Sequence, residues 1–237
     1  AMARFKRLEY LLTVLGEIGM LLDYAEATDR MTATAELLVE QARRDSAAAM
    51  GLPPDGEGFA VLSMGKFGAG ELNFYSDLDL IFVWDERFNA GGRPQAEAAE
   101  ELANGLIVRL TTATNEGRIY EVDARLRPEG QSAPLAPPVE RYIEYYGRRA
   151  EPWEFQSAMQ LRPVAGDREL GHRLRHAIGA VIARRASEFD LAGEIRSMRR
   201  RMEASVRLPR WVFCDFKRGP GGTVDLEFTA QYLQLLH

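Results

Sequence analysis

Gly65-Lys66-Phe67-Gly68-Ala69-Gly70-Glu71-Leu72-Asn73-Phe74-Tyr75-Ser76-Asp77-Leu78-Asp79-Leu80 is the stretch on which the reading of this chain turns. It lies between two apolar runs, Phe59-Ala60-Val61-Leu62 and residues 78–84, whose length and composition predict short buried strands. Side chains alternate along a strand, so Asp77 and Asp79 project to one side at the mouth of the second run while Leu78 and Leu80 face the other. Two converging carboxylates repel and raise one pKa, whereas a divalent cation with hard oxygen ligands removes the conflict, so the pattern predicts a magnesium site. Upstream, glycine lets backbone N–H groups approach phosphate oxygens without a Cβ in the way. Gly65, Gly68, the Ser76 hydroxyl and the Lys66 ammonium therefore form a candidate phosphate cradle. No Gly-Lys-Ser or Gly-Lys-Thr follows, and the three spaced glycines of a dinucleotide fingerprint are missing, which disfavours P-loop and Rossmann readings.

Working outward, residues 3–24 place Leu8, Leu11, Leu12, Leu15, Ile18, Leu21 and Leu22 at helical spacing, and residues 31–50 repeat the pattern. A break at Leu52-Pro53-Pro54-Asp55-Gly56 precedes the first strand, and residues 94–114 return to helical spacing. Residues 118–123 read as another strand, which ends at Asp123, a third acid placed to complete a carboxylate triad. A loop rich in proline and glycine covers residues 127–138. Beyond it the pattern is mainly helical, near residues 139–148, 167–186 and 191–206. The expected fold class is α+β: a small mixed β-sheet flanked by helices within residues 1–137, followed by a helical bundle lobe over residues 138–237.

With 237 residues, 46% hydrophobic and 27% charged, the chain has the composition of a folded, water-soluble protein. A net charge of −5 argues against a globally cationic nucleic-acid binder. The single cysteine, Cys214, cannot form an internal disulfide and reads as a small core residue, and no apolar run is long enough to cross a bilayer. A cytoplasmic location is expected, with neither nucleic acid nor membrane as partner. Ala1-Met2 lacks signal-peptide organisation and His237 interrupts an apolar helix, so the chain reads as a fragment. Residues 141–210 hold 15 basic and 9 acidic side chains, against 15 and 26 elsewhere. Such a basic bundle could face a polyphosphate or simply present solvated helix faces. His172 and His176 stand one helical turn apart, but without a third ligand they read as a solvated face rather than a zinc site.

Taken together, the glycine turn, the Asp77-x-Asp79 pair and Asp123 resemble the DNA polymerase beta type nucleotidyltransferase superfamily. Residues 65–73 and 76–80, then Val122-Asp123-Ala124-Arg125-Leu126-Arg127-Pro128, then Gly221-Gly222-Thr223-Val224-Asp225-Leu226-Glu227-Phe228, resemble the glutamine synthetase adenylyltransferase family more narrowly. The resemblance extends over nearly the whole chain. It implies that Asp77, Asp79 and Asp123 bind magnesium, and that Lys66, Gly68 and Ser76 steady the triphosphate of ATP. It also implies a helical second domain similar to that of PII uridylyltransferase. Arg125 and Arg127 are candidate phosphate clamps, with structural ion pairing as the alternative, and Asp225 and Glu227 are candidate nucleotide-site acids or helix-capping groups.

The implied function is magnesium-dependent transfer of AMP from ATP to a tyrosine of glutamine synthetase, a control on nitrogen assimilation, with the PII signal protein as a further partner. The family carries two homologous halves, one attaching AMP and one removing it by phosphorolysis. Tyr120-Glu121-Val122-Asp123 and Val224-Asp225-Leu226-Glu227 lean toward the attaching half, and Glu71-Leu72-Asn73-Phe74 toward the removing half. A non-catalytic module sensing nucleotide or PII is the alternative of another class.

Overall fold

The computed structural model describes residues 1–206 and 215–236, so Cys214 lies outside the described residues. The architecture is α+β, and the chain divides into two units. The first comprises Ala1–Glu144 and Gln160–His176, the second Tyr145–Met159 and the described residues from Ala177 onward.

The first unit is built around β1 (Phe59–Ser63), all five residues of which are buried, as an unbroken apolar run requires of a central strand. β2 (Leu78–Trp84) and β4 (Arg162–Gly166) flank it antiparallel, and β3 (Val122–Asp123) joins β2 in parallel, so the sheet order is β3-β2-β1-β4. Phe59 stands opposite Trp84 and Val61 opposite Phe82, which puts Leu78, Leu80 and Phe82 on the face that forms the main core. Against that face lie α2 (Tyr24–Ala49) and α4 (Gln95–Thr111). Both helices bury small residues, among them Ala35, Ala42, Ala98 and Ala103, and a Cβ on Gly105 of α4 would press on Ser46 of α2. Two helices can approach closely only where side chains are this short.

Helix boundaries follow the caps rather than the leucine spacing. α1 (Met2–Ile18) stops before residue 24, and α2 starts at Tyr24 because Asp23 accepts from the Glu26 N–H at 2.9 Å while Glu26 accepts from the Asp23 N–H at 2.8 Å. The buried residues of α1 are Ala3, Thr13 and Gly16, whereas Leu8, Leu11, Leu12, Leu15 and Ile18 are exposed. β4 was not expected in a stretch read as helical. Pro163 and Gly166 hide its strand signal, and both are tolerated because it is an edge strand with a register shift opposite Val61 and Leu62. A short helix, α3 (Gly65–Ala69), occupies the start of the glycine stretch, and β3 is shorter than the predicted run.

α5 (Val139–Arg148) and α7 (Arg168–Arg185) contribute residues to both units. In the second unit α6 (Pro152–Ala158), α8 (Leu191–Ser205) and α9 (Thr223–Leu236) pack on one another. Pro152 fills the first helical position of α6, and Glu154 accepts from the Glu151 N–H at 2.9 Å. Arg185 is buried beneath Phe155 and Phe189 and donates to the carbonyls of Tyr146 and Ala150. No helix among the described residues is long and apolar enough to cross a membrane.

One buried cation ties α2 to the sheet. Arg43 is fully buried and donates to Glu40 at 2.7 and 2.9 Å and to the Pro54 carbonyl at 2.6 Å, while the Gly166 N–H donates to Glu40 at 3.0 Å. Burial would raise the Glu40 carboxyl, but the hydrogen bonds from Arg43, Gly166 and Arg44 overcome it and hold the pKa at about 2. A carboxyl depressed on folding adds stability that is complete above its unfolded pKa and is lost as pH falls through the folded value. Chemical denaturation should therefore show stability declining between about pH 4.5 and pH 2. Glu40→Gln should lose about 1–3 kcal/mol at neutral pH and flatten that decline, and an unaltered profile would refute the linkage.

Candidate functional site

The site is assembled where β1 gives way to β2. After β1 the chain turns at Gly65, whose φ of +55° is a conformation that side chains disfavour. A Cβ there would also run into Asp79 Oδ2. The N–H of Met64 donates to the Asp79 carbonyl at 3.0 Å, so the turn is fastened to the strand that carries the acids. α3 follows and ends at Gly70, φ +81°. Asn73 and Ser76 then close a turn in which the Ser76 hydroxyl donates to Asn73 Oδ1 at 2.8 Å and the Tyr75 N–H donates to the same oxygen at 3.2 Å.

Asp77 is exposed just before β2, and Leu78 opens the strand with its N–H donating to the Glu121 carbonyl at 3.0 Å. The parallel register sets Asp79 beside Asp123. Leu78 and Leu80 are buried while Asp79 between them is half-buried, the alternation expected from the sequence. Each of Asp77, Asp79 and Asp123 offers one carboxylate oxygen, and these oxygens lie within 4.8 Å of one another. Among the described residues this is the single such grouping of metal-binding side chains, and exposed His172 and His176 belong to none.

The concentrated negative charge has a partner in Arg125. Its guanidinium spans both Asp123 oxygens, at 3.0 Å from Nε and 2.5 Å from Nη2, and its own N–H donates to Oδ1 at 2.8 Å. The hydrogen bond from Arg125 holds the Asp123 carboxyl below its ordinary range despite partial burial. Asp123 and, through space, Asp77 and Asp79 raise the guanidinium pKa in return. Arg127 is placed differently, since it donates to the carbonyls of Ala124 and Ala133 and so braces the loop after β3.

The remaining glycine-turn residues divide. Lys66 is half-buried on α3, and its carbonyl accepts from the Glu71 N–H at 2.8 Å. Gly68 is a close-packing position, because its N–H donates to Met64 O at 2.9 Å and a Cβ would strike the Gln160 carbonyl. Arg162 holds this turn from β4, donating to the carbonyls of Gly68 at 3.0 Å and Phe67 at 2.7 Å and pairing with Glu36. The role of Arg162 and Glu36 in fixing α3 was not read from sequence, where an arginine beside proline carries no such signal. The Asn73–Ser76 turn was not read from sequence either, although Asn and Ser so spaced favour side-chain bonding to nearby backbone. Asp225 and Glu227 lie in the second unit, on the first turns of α9. Asp225 accepts from Arg199 at 2.5 Å and from the Gly221 N–H at 2.7 Å, and Arg199 lowers its pKa.

A mixed sheet with two acids at the start of one strand, a third on its parallel neighbour and a glycine turn alongside is the arrangement expected of a nucleotidyltransferase. Comparison with known proteins agrees. The family described as glutamate-ammonia ligase adenylyltransferase matches residues 1–177. Enzymes named bifunctional glutamine synthetase adenylyltransferase/adenylyl-removing enzyme are similar to it. That of Streptomyces avermitilis is 37% identical over 94% of this chain and 22% of its own length. That of Psychromonas ingrahamii is 32% identical over 100% and 26%, and that of Mycobacterium tuberculosis is 40% identical over 75% and 16%. This chain belongs to the glutamate-ammonia ligase adenylyltransferase family, and it spans about a quarter of the length of the relatives it matches, or less.

Gly65 and Gly70 both have positive φ, but only Gly65 abuts Asp79, since nothing lies within 4 Å of a Cβ on Gly70. Gly70→Ala should cost about 1–2 kcal/mol for the backbone conformation alone, and Gly65→Ala measurably more. Equal losses in urea denaturation would show that the turn does not support the acid.

Proposed function

We propose that this chain carries one nucleotidyltransferase site, which transfers AMP between ATP and a tyrosine hydroxyl of glutamine synthetase. The observation that carries this reading is the convergence of Asp77, Asp79 and Asp123 beside the glycine turn. Three carboxylate oxygens are a donor set suited to a hard divalent cation such as Mg2+, and these three residues would hold it. When bound, the metal supplies charge neutralisation for the triphosphate and lowers the pKa of the attacking hydroxyl.

The chain's own residues position and balance charge. The apolar underside of β2 fixes Asp79, and the β2–β3 pairing fixes Asp123. Arg125 is an exposed guanidinium next to the acids, able to meet phosphate oxygens with its planar fork. Lys66 brings a second positive charge on α3, Gly65 lets the turn sit against Asp79 of β2, and Ser76 closes the Asn73 turn that leads into the strand. The tyrosine oxygen would attack the α-phosphorus, and the bond to the pyrophosphate oxygen would break with its electron pair leaving on pyrophosphate. Phosphorolysis is the same displacement run on the adenylylated tyrosine, with inorganic phosphate as nucleophile and ADP as product. The relatives' names contain both activities, and we favour attachment on the strand sequence ending in Asp123.

The first unit would then be the catalytic domain with its N-terminal helices, and the second a helical domain similar to that of PII uridylyltransferase, acting in the cytoplasm with the PII protein as a further partner. Asp225 and Glu227 would be nucleotide-contacting acids of the second unit, at the start of α9.

Two measurements test this. Mn2+ titration followed by electron paramagnetic resonance should show binding that weakens at least about tenfold in Asp79→Asn and Asp123→Asn. Radiolabelled ATP with unmodified glutamine synthetase, and phosphate with the adenylylated form, should reveal transfer in one direction. Asp77→Asn or Asp79→Asn should reduce it about 100- to 1,000-fold with the circular dichroism spectrum unchanged. Near-normal turnover in either variant would overturn the assignment.

A further inference from the structure

Apart from the carboxylate cluster, the first unit contains a cavity of about 630 Å3 between α1 and the segment leading to β3. Arg4, Lys6, Arg7 and Arg118 line it against one carboxylate, Glu116, in a protein whose net charge is −5. Its walls are otherwise apolar or aromatic, with Leu8, Leu11, Tyr10 and Phe74. The arginines are exposed on this open groove, and their clustering raises the local concentration of small anions beside the partly buried Lys6.

Lys6 is the unusual member. Its amine lies 3.9 Å from the centroid of the Tyr120 ring and 4.7 Å from that of Tyr10, and it donates to the Ile119 carbonyl. The Tyr10 and Tyr120 hydroxyls are bonded to each other at 3.0 Å, so neither is an anionic partner for it. Among the described residues Lys6 pairs with no acid, whereas Arg7 pairs with Glu116 and Arg118 with Glu121. The charged and titratable groups facing it are thus Arg4, Arg7 and Tyr10 from its own helix and Glu116, Arg118 and Tyr120 from the opposite segment. The ring faces favour the ammonium, but burial outweighs them and lowers the amine pKa to about 8. The amine is consequently a nucleophile near neutral pH. Most surface lysines are not.

We propose that this cavity is a lysine acylation site, in which Lys6 takes an acyl group from a small acyl phosphate whose phosphate is held by Arg4 and the neighbouring arginines. The neutral Nζ attacks the carbonyl carbon and forms the N–C bond. The bond between the acyl carbon and the bridging phosphate oxygen breaks, phosphate leaves with the electron pair, and the surplus amine proton passes to the released phosphate. The product is an amide whose N–H can still donate to Ile119, with the positive charge over the two tyrosine rings removed. Arg4, which pairs with no acid among the described residues, is free to bind the phosphate without giving up a partner.

The chain makes the experiment clean, for its only lysines are Lys6, Lys66 and Lys217. The protein is incubated with acetyl phosphate at pH 7.5 and acetylation is followed at each lysine by peptide mass spectrometry, with exposed Lys217 as internal reference. A pKa near 8 leaves about a quarter of an amine neutral at that pH, where an ordinary lysine has about a thousandth, so Lys6 should react at least about tenfold faster than Lys217. Inorganic phosphate should compete. Arg4→Gln with Arg118→Gln should slow labelling by acetyl phosphate about fivefold or more, yet leave labelling by uncharged N-acetoxysuccinimide unchanged. Lys6 reacting no faster than Lys217 would overturn the proposal. So would arginine variants that slow both reagents equally or neither.

Discussion

Everything at the candidate site depends on one pairing, that of β2 with β3, because it sets Asp79 directly beside Asp123. Parallel neighbours project their side chains to the same face, so the register itself dictates that two like charges meet. Oxygens within 4.8 Å of one another repel by between about 1 and 3 kcal/mol per pair at a partly wetted surface. The fold tolerates this because the opposing face of the same strand is anchored. Leu78, Leu80 and Phe82 are buried against α2 and α4, and burying a side chain of that size contributes about 1.5–3 kcal/mol each. The core therefore holds the acids in place against their own repulsion.

The glycine turn is held from the opposite edge of the sheet. Arg162 on β4 grips the carbonyls of Phe67 and Gly68 at the end of α3, and Glu36 on α2 orients Arg162. Gly68 must lack a side chain because the Gln160 carbonyl fills that space, and Gly65 because Asp79 does. Two glycines that look alike in sequence thus serve different surfaces, one packing the turn onto the segment that leads into β4 and the other onto the acid-bearing strand.

The legible part of this structure was the part governed by short-range periodicity. Alternation placed Asp77 and Asp79 on one side of a strand, and the apolar run before Asp123 placed it on a neighbour. The illegible parts were decided by partners distant in sequence. β4 contains a proline and a glycine and exists because β1 offers it an unpaired edge. The leucines of α1 have the spacing of a core-facing stripe, yet the helix packs through Ala3, Thr13 and Gly16, since small residues let it approach its neighbours closely. Two opening helices were read from the leucine pattern, but the boundary between them lies earlier, where Asp23 and Glu26 form a capping box that the pattern overshadowed.

Arg125 was open to two sequence readings, phosphate clamp and structural ion pair, and its position joins them. Its guanidinium occupies both oxygens of Asp123 and lies in the field of Asp77 and Asp79. The negative charge of the cluster is thereby neutralised in part. A divalent cation taking Asp123 as a ligand would compete with that guanidinium for the same oxygens, and any loosening of the pair would subtract from the ion's affinity. Under the proposed reaction the loosened arginine does not go unpaired, because a triphosphate brings anionic oxygens into the same corner. Metal and nucleotide would then bind cooperatively through a single exchangeable side chain, each making the other's entry easier by giving Arg125 a new partner.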